Sequence, residues 1–460
     1  MPSPHALKRL VFPTSGHEGM AYVVCGVAEV NDGDEIHHRY LSHAVVEVPG
    51  QHIQSSSSSH ISVDTTPVAN ILRRARDEHL TVLVVHSHRP GPAIFSPQDD
   101  ADEPKLIELA QHRNGDKTHL LSMILAETGD MTARIWLSPD RYQMLDRISV
   151  VGSRLLPSTH ERIGPVDHDL YARQILALGH QFQSVLSKLV VGIVGAGATG
   201  SATAMLLARL GVKNFVLIDD DTVEKSNLNR LHSAAATDAE MQKPKVEALE
   251  NFVKSIQPGI CSKIFVGLVD DPDCRDALRS CDVVFGCTDD HGGRIFLNRL
   301  AYFYLIPVFD MGIGIDYEGG EVPRIVDAAA RVTTLFPGNP CLICRGVVDP
   351  FVAREEALQR QNPEEYQRQA GEAYVRGGGV PNPAVVSFTT EVACMAVDEL
   401  IERLTGYRQV GPISHRVRKY RLAEDKYPGL ADDERDCPIC ISQQYWGRGD
   451  VRPFMDRIGG

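Results

Sequence analysis

The chain has 460 residues, 43% hydrophobic and 23% charged, with a net charge of -13 at pH 7. Such a length divides into about two to four domains rather than one core. The acidic balance excludes a surface built to wrap nucleic acid, and no apolar run reaches the length of a secretory signal or a membrane span. A soluble, cytoplasmic protein with neither nucleic acid nor membrane as partner is expected.

Residues 1 to about 150 alternate strand-like runs (MAYVVCGVAEV, HAVVEVP, TVLVVHSH, HLLSMILAE, TARIWLS) with helix-like ones (TTPVANILRRARDEH, PKLIELAQHR), which predicts a compact α/β domain. QSSSSSH between them reads as a polar loop tip. LLPSTHERIGPVDHD, rich in turn formers, marks a boundary. The expected organisation is a first domain over 1–155, a linker over 156–167, a second domain over 168–445 and a tail over 446–460. From residue 167 the order is strand, glycine-rich turn, helix, strand (KLVVGIVG, AGATG, SATAMLLARLG, NFVLIDDD), which predicts a parallel, Rossmann-like sheet. CSKIFVG, DVVFGCT and IPVFDMG are further strands. Residues 350–376 are charged and read as exposed helix or a mobile connection; AVVSFTTEVACMAVDELIERLTG reads as a packed helix.

In HSHRPGPAIFSPQD, His86 and His88 lie two apart on a strand and therefore point to one face. Ser96 and Asp99 by themselves describe a helix cap with proline in the first helical position. Together with the histidines, Asp99 completes a set that zinc accepts while keeping a fourth position open for water. His-x-His, seven residues, then Ser-x-x-Asp resembles the JAMM (MPN-plus, JAB) metalloproteases and deubiquitinases. The resemblance implies His86, His88 and Asp99 as ligands of a catalytic zinc, Glu18 in HEGMAYVVCGV as general acid/base, and Ser96 as a stabiliser of the oxyanion.

Gly195, Gly197 and Gly200 follow a strand and open a helix, where a backbone without side chains can approach phosphate. A glycine loop alone suits dehydrogenases equally well. IDDDTVEKSNLNRL, QKPKVEAL and CTDDHGGRIFLN, with YARQIL ahead of the first strand and NPCLIC and DCPIC near the end, resemble the adenylating enzymes of the ThiF/MoeB and ubiquitin-activating superfamily over most of residues 168–440. That resemblance implies ATP and magnesium as cofactors. Asp219 would hold the ribose hydroxyls, and Arg230 and Lys245, with Asn227, the phosphates. Asp289 would hold the magnesium. Arg173 would reach into the ATP site of a partner subunit, so a homodimer is expected.

Ten cysteines are present. Cys341 and Cys344, with Cys437 and Cys440, form two Cys-x-x-Cys pairs and read as a closed, structural four-cysteine zinc site. Cys25, Cys261, Cys274, Cys281, Cys287 and Cys394 read as small buried hydrophobes. Many relatives carry a nucleophilic cysteine where this chain has AYVRGGGVPNPAVV, so the acyl-adenylate, or transfer to an external thiol, is the expected end point.

The combined reading is a bifunctional enzyme acting on a ubiquitin-like or sulfur-carrier protein with a carboxy-terminal Gly-Gly: a zinc peptidase that trims or deconjugates it, and an adenylyltransferase that activates it. A conjugating enzyme or sulfur donor is a further expected partner. The rivals are sulfur-carrier activation for cofactor or cysteine synthesis alone, and a scaffold with one inactive domain. A dehydrogenase would leave Arg230, Lys245 and the cysteine pairs without a role. The terminal RIGG resembles the tail such enzymes act upon, and without a β-grasp-like segment before it is read as coincidence.

Overall fold

The computed structural model describes residues 4–31, 36–58, 60–89, 91–159, 166–257, 259–319, 322–363, 366, 383–429 and 437–450. The chain divides into two compact units: residues 1–29, 37–164 and 443–452, and residues 30–36, 165–442 and 453–460.

The first unit is built on strands β1 (Met20–Asn31), β2 (Ile36–Glu47), β5 (Thr81–His88), β6 (Leu120–Ala126), β7 (Met131–Ser138) and β8 (Arg141–Met144), in the sheet order β2-β1-β5-β6-β7-β8. Alternation along the strands sends Tyr22, Val24, Val82 and Val84 to one face. There they meet Ile71 and Leu72 of the helix Thr65–Asp77 and Ile107 and Ala110 of the helix Pro97–Asn114. Ala21, Val23, Cys25 and Val85 go to the other face, against Val11 at the end of the helix Pro4–Val11. This two-sided burial is the period-2 pattern of a covered central strand.

Ser55, Ser56 and Ser57 of the serine run lie in a strand, not in a loop. Strands β3 (Ile53–Ser57) and β4 (His60–Val63) pair as an antiparallel hairpin, which satisfies a polar backbone that a loop would leave to water. Nor are residues 446–450 a free tail. Residues 443–450 belong to the first unit: Gly26 N–H donates to Gly447 O (3.1 Å), His43 Nδ1 lies 2.7 Å from Trp446 O, and Val27 bridges Gly449. Trp446 is buried. The expected linker is also partly structured, since β9 (Arg147–Val151) pairs with β10 (Leu155–Thr159), and Asp167 caps the helix His168–Leu178.

In the second unit, β11 (Val190–Val194), β12 (Asn214–Asp219), β13 (Cys261–Val266) and β14 (Val283–Gly286) are parallel and join β15 (Val308–Glu318). The sheet then turns antiparallel through β16 (Arg324–Leu335), β17 (His415–Lys419) and β18 (Glu424–Lys426), giving the order β13-β12-β11-β14-β15-β16-β17-β18. β11 is a short apolar run with neighbours on both sides, as a buried parallel strand should be. The long helix expected late in the chain runs Val386–Thr405 and stops at Gly406, whose φ of 68° is the left-handed cap glycine favours. Cys261 departs from the buried-thiol expectation: it opens the edge strand β13, which has a neighbour on one side alone, and is exposed. Cys25, Cys274 and Cys281 are buried; Cys287 and Cys394 are partly so.

Candidate functional site

In the first unit, β5 ends in His86 and His88, while the helix Pro97–Asn114 begins beside them with Ser96 and Asp99. The cap forms in full: Ser96 Oγ accepts from Asp99 N (3.3 Å), and Asp99 Oδ2 accepts from Ser96 N (2.7 Å) and Ser96 Oγ (2.8 Å). The same carboxylate faces the imidazoles. His86 Nε2 lies 3.2 Å from Asp99 Oδ1 and His88 Nε2 3.8 Å from Asp99 Oδ2. Ligand atoms about 2.0–2.1 Å from a tetrahedral zinc stand about 3.4 Å apart, so the set matches in kind and spacing. Two further facts favour a cation. His86 Nε2 is buried without a hydrogen-bond partner, and His88 Nδ1 sits 3.2 Å from Pro92 O, which turns Nε2 toward the centre. Burial, then the neighbouring His86, lowers the His88 pKa and keeps it the neutral imidazole a metal needs.

Glu18 is buried and lies close enough to His86 and Asp99 to feel both charges. Burial raises its pKa above the ordinary 4.5, which suits a group that must both take and return a proton. The serine hairpin sets its backbone: Glu18 N–H donates to Ser57 O (2.7 Å), and Ser56 Oγ donates to Glu18 O (2.9 Å). No sequence signal marked Ser56 and Ser57 for this task. Ser96 Oγ is committed to Asp99, and acting on an oxyanion would require it to give up that bond.

In the second unit, β11 runs into Gly195, whose φ of 94° is open to glycine. A Cβ on Gly200 would fall 1.8 Å from Gly195 O, so the helix Ala198–Leu210 can start this close to the strand only with glycine there. The turn opens a cavity of about 460 Å³ lined by Gly195, Gly197, Asp219, Asn227, Arg230, Lys245 and Asp289. Gly200 packs behind it. Asp219 accepts from Ala196 N (2.6 Å) and Asp221 N (2.9 Å), and burial raises its pKa against the pull of Lys245. Lys245 Nζ contacts Asp221 Oδ2 (2.5 Å), and Arg230 Nη1 donates to Ser226 O (2.6 Å). Both cations are thus held by neighbours that an anion could replace. Asn227 is less free, because its Oδ1 accepts from Glu224 N (3.0 Å). Arg173 is exposed on the helix His168–Leu178 and does not line this cavity.

Two lining residues carried no assigned role from the sequence. Arg294 lies inside the quoted CTDDHGGRIFLN run, and Arg360 lies in the charged stretch read as exposed or mobile. That stretch forms the helix Pro350–Gln361, and Arg360 Nη2 pairs with Asp290 Oδ2 at 2.9 Å. Asp290 itself caps the helix His291–Phe303 through Gly293 N, which separates it from Asp289 in function.

The four cysteines meet as a buried cluster. Cys341 Sγ lies 3.8 Å from Cys437 Sγ, and Cys344 Sγ 3.6 Å from Cys440 Sγ. Sulfurs about 2.3 Å from a tetrahedral zinc stand about 3.8 Å apart, which fits. A hydrogen bond from Cys440 lowers the Cys341 pKa, while burial raises that of Cys344, as expected of thiols crowded without a cation. Cys394, in the helix Val386–Thr405, has its pKa raised by burial and then by Asp398. AYVRGGGVPN, where relatives place a nucleophile, lies outside the described residues, as does RIGG.

A glycine-rich turn, a ribose-type carboxylate and paired cations around one cavity define a nucleotide-binding α/β protein. The ThiF family model matches residues 171–439, and the chain belongs to the ThiF family. It is 32% identical over 178 residues to the SAMP-activating enzyme E1 of Haloferax volcanii, covering 38% of this chain and 61% of that protein. It is 35% identical over 178 residues to the molybdopterin-synthase adenylyltransferase of Escherichia coli, covering 38% and 66%. A sulfur carrier protein ThiS adenylyltransferase of Bacillus subtilis is 27% identical over 280 residues, 60% of this chain and 72% of that protein. The chain thus spans about three fifths to two thirds of the first two relatives. Escherichia coli MccB with ATP, a solved structure, aligns over 60% of this chain and 75% of its own with 16% identity and a TM-score of 0.45. The family match leaves the histidine site of the first unit outside it. No described helix is long and apolar enough to cross a membrane.

Proposed function

We propose that the second unit activates the carboxy-terminal glycine of a ubiquitin-like or sulfur-carrier protein by adenylation. The observation that carries this reading is the single cavity in which Asp219, Arg230, Lys245 and Asp289 converge behind a glycine turn, in a ThiF-family chain. A carboxylate oxygen of the modifier forms a bond to the α-phosphorus of ATP, the bond to the β-phosphate bridging oxygen breaks, and pyrophosphate leaves. Arg230 and Lys245 balance charge on the phosphates, and Asp289 would hold magnesium. Arg173, exposed and outside the lining of its own cavity, serves the site of a second subunit. The test is ATP–pyrophosphate exchange with co-expressed small proteins ending in Gly-Gly; absence of exchange with every one would overturn the reading. Mixing Arg173→Ala with Asp289→Ala chains should restore roughly a quarter of wild-type exchange, because half the dimers carry one intact site. No recovery would count against the shared site.

The first unit is proposed as a zinc peptidase that trims or releases the same modifier. The convergence of buried His86 with His88 and Asp99, whose donor atoms lie within 4.8 Å of one another, carries this part. Zinc held by those three residues would supply Lewis acidity and a water that is acidic at neutral pH. Glu18 accepts a proton from the attacking water and returns it to the leaving amine. Without an evident cysteine acceptor, the acyl group passes from the adenylate to an outside thiol or amine.

A further inference from the structure

A second pair of cations, Arg294 in the lining of the second unit's cavity and Arg331 next to that lining, lies on the face of the sheet where it turns antiparallel. Asp310 of β15 stands opposite Thr333 of β16, and Gly312 stands opposite Arg331. Residues two apart on a strand, and residues directly opposite, share a face, so Asp310, Gly312, Arg331 and Thr333 form one patch. Arg294 joins them from the helix His291–Phe303. Asp310 is the anchor: it is 1% exposed, Arg331 Nη1 lies 2.5 Å from its Oδ2, and Arg294 Nε lies 3.4 Å from its Oδ1. Arg331 Nη1 also donates to Thr333 Oγ1 (2.8 Å), and Arg294 Nη2 to Met311 O (3.2 Å).

Gly312 shows where the guanidinium tips point. A Cβ there would lie 2.7 Å from Arg331 Nη2 and 3.5 Å from Arg294 Nη2, so both tips converge on the space its missing side chain leaves. Met311, Gly312, Ile313 and Arg294 line the cavity that also holds Asp219 and Lys245. Two guanidinium groups of 13% and 16% exposure therefore face one carboxylate. Arg294 Nε and Asp310 Oδ1 are buried without aligned hydrogen-bond partners. His415, next in the row beside Thr333, is held neutral by burial and by Arg345 and Arg331, and adds no anion. An excess of partly buried cation over anion favours a negatively charged ligand.

We propose that Arg294 and Arg331, held by Asp310 over the bare face of Gly312, are the seat for the terminal carboxylate of the peptide to be activated. This rests on the adenylation reading for its purpose, not for its geometry. A planar monoanion suits converging guanidinium groups, whereas the adjacent Asp310 disfavours the higher charge of a phosphate. The separate cations Arg230 and Lys245 already supply a phosphate end.

The experiment measures binding of a fluorescein-labelled decapeptide ending in Gly-Gly, as free acid and as amide, to the full chain, with a fluorescent ATP analogue titrated in parallel. The wild type should prefer the acid by roughly tenfold to a hundredfold. Arg331→Met should erase that preference and leave ATP binding within about twofold. Gly312→Ala keeps every charge but fills the seat, and its Cβ meets only the side-chain ends of Arg331 and Arg294, which can shift, so it should erase the preference in a folded protein. A wild type indifferent to the terminal charge overturns the seat. So does a folded Gly312→Ala protein that still prefers the acid, or an Arg331→Met protein that weakens ATP and not peptide. A wild type that prefers the acid but does not bind the ATP analogue keeps the seat and sinks the adenylation reading instead.

Discussion

The two metal-type clusters differ in every property that separates a closed site from an open one. Cys341, Cys344, Cys437 and Cys440 are all buried, supply four soft ligands, and bring together chain segments almost a hundred residues apart. His86, His88 and Asp99 offer three donor groups that could hold an ion, from a neighbouring strand end and helix start, partly open, with a buried glutamate alongside. Four ligands leave no position for substrate, whereas three leave one. The contrast teaches that the first cluster should be read out in stability and the second in rate.

The largest effect should come from Cys341→Ser. Losing a four-cysteine link between distant segments should remove one zinc and lower stability by on the order of several kcal/mol, seen as a melting temperature about 10 °C or more below wild type. Metal analysis beside calorimetry checks it; an unchanged zinc content would break the contrast from the structural side.

Next is Glu18→Gln, which should retain zinc and slow cleavage of a Gly-Gly-extended modifier by about 10²–10⁴-fold. Glu18 must be deprotonated to accept a proton, and burial raises its pKa. Wild-type cleavage should therefore lose activity, as pH falls, at a pH above the ordinary glutamate value of 4.5. A pH–rate profile with its acidic limb below that value would remove Glu18 from the role.

A smaller effect on stability is expected for His88→Ala. It should lose one zinc and all cleavage, yet shift unfolding by no more than about 1 kcal/mol, since the capping box already holds the helix start. A fall as deep as that of Cys341→Ser would make both clusters structural. The smallest is Cys394→Ala: adenylate formation should continue unchanged, and mass spectrometry after ATP and modifier should find no adduct at that position in the wild type. Burial raises the Cys394 pKa and leaves little thiolate for attack.

Much of each site was legible because its chemistry is local in sequence. His86 and His88 share a strand face, Ser96 and Asp99 form one cap, and the glycine turn sits between one strand and one helix. Each Cys-x-x-Cys lies within a single tight turn. These features follow from the two- and three-residue periodicities of the backbone and need no distant partner.

What only the tertiary structure decided depends on register and on chain segments far apart in sequence. A serine run looks like loop until a second strand pairs with it, and nothing in its composition says that it sets Glu18. Arg360 is one charge among many in its helix until the helix docks beside Asp290. Residues 443–450 read as the end of one domain and a tail, yet their hydrogen bonds go to Gly26, Val27 and His43. Arg331 meets Gly312 only because β15 and β16 pair in one register, and a slip of one residue would send its guanidinium to the opposite face. The sequence by itself determined the donor atoms and their local spacing; the fold decided which of them face each other, because non-local pairing is set by packing over the whole sheet.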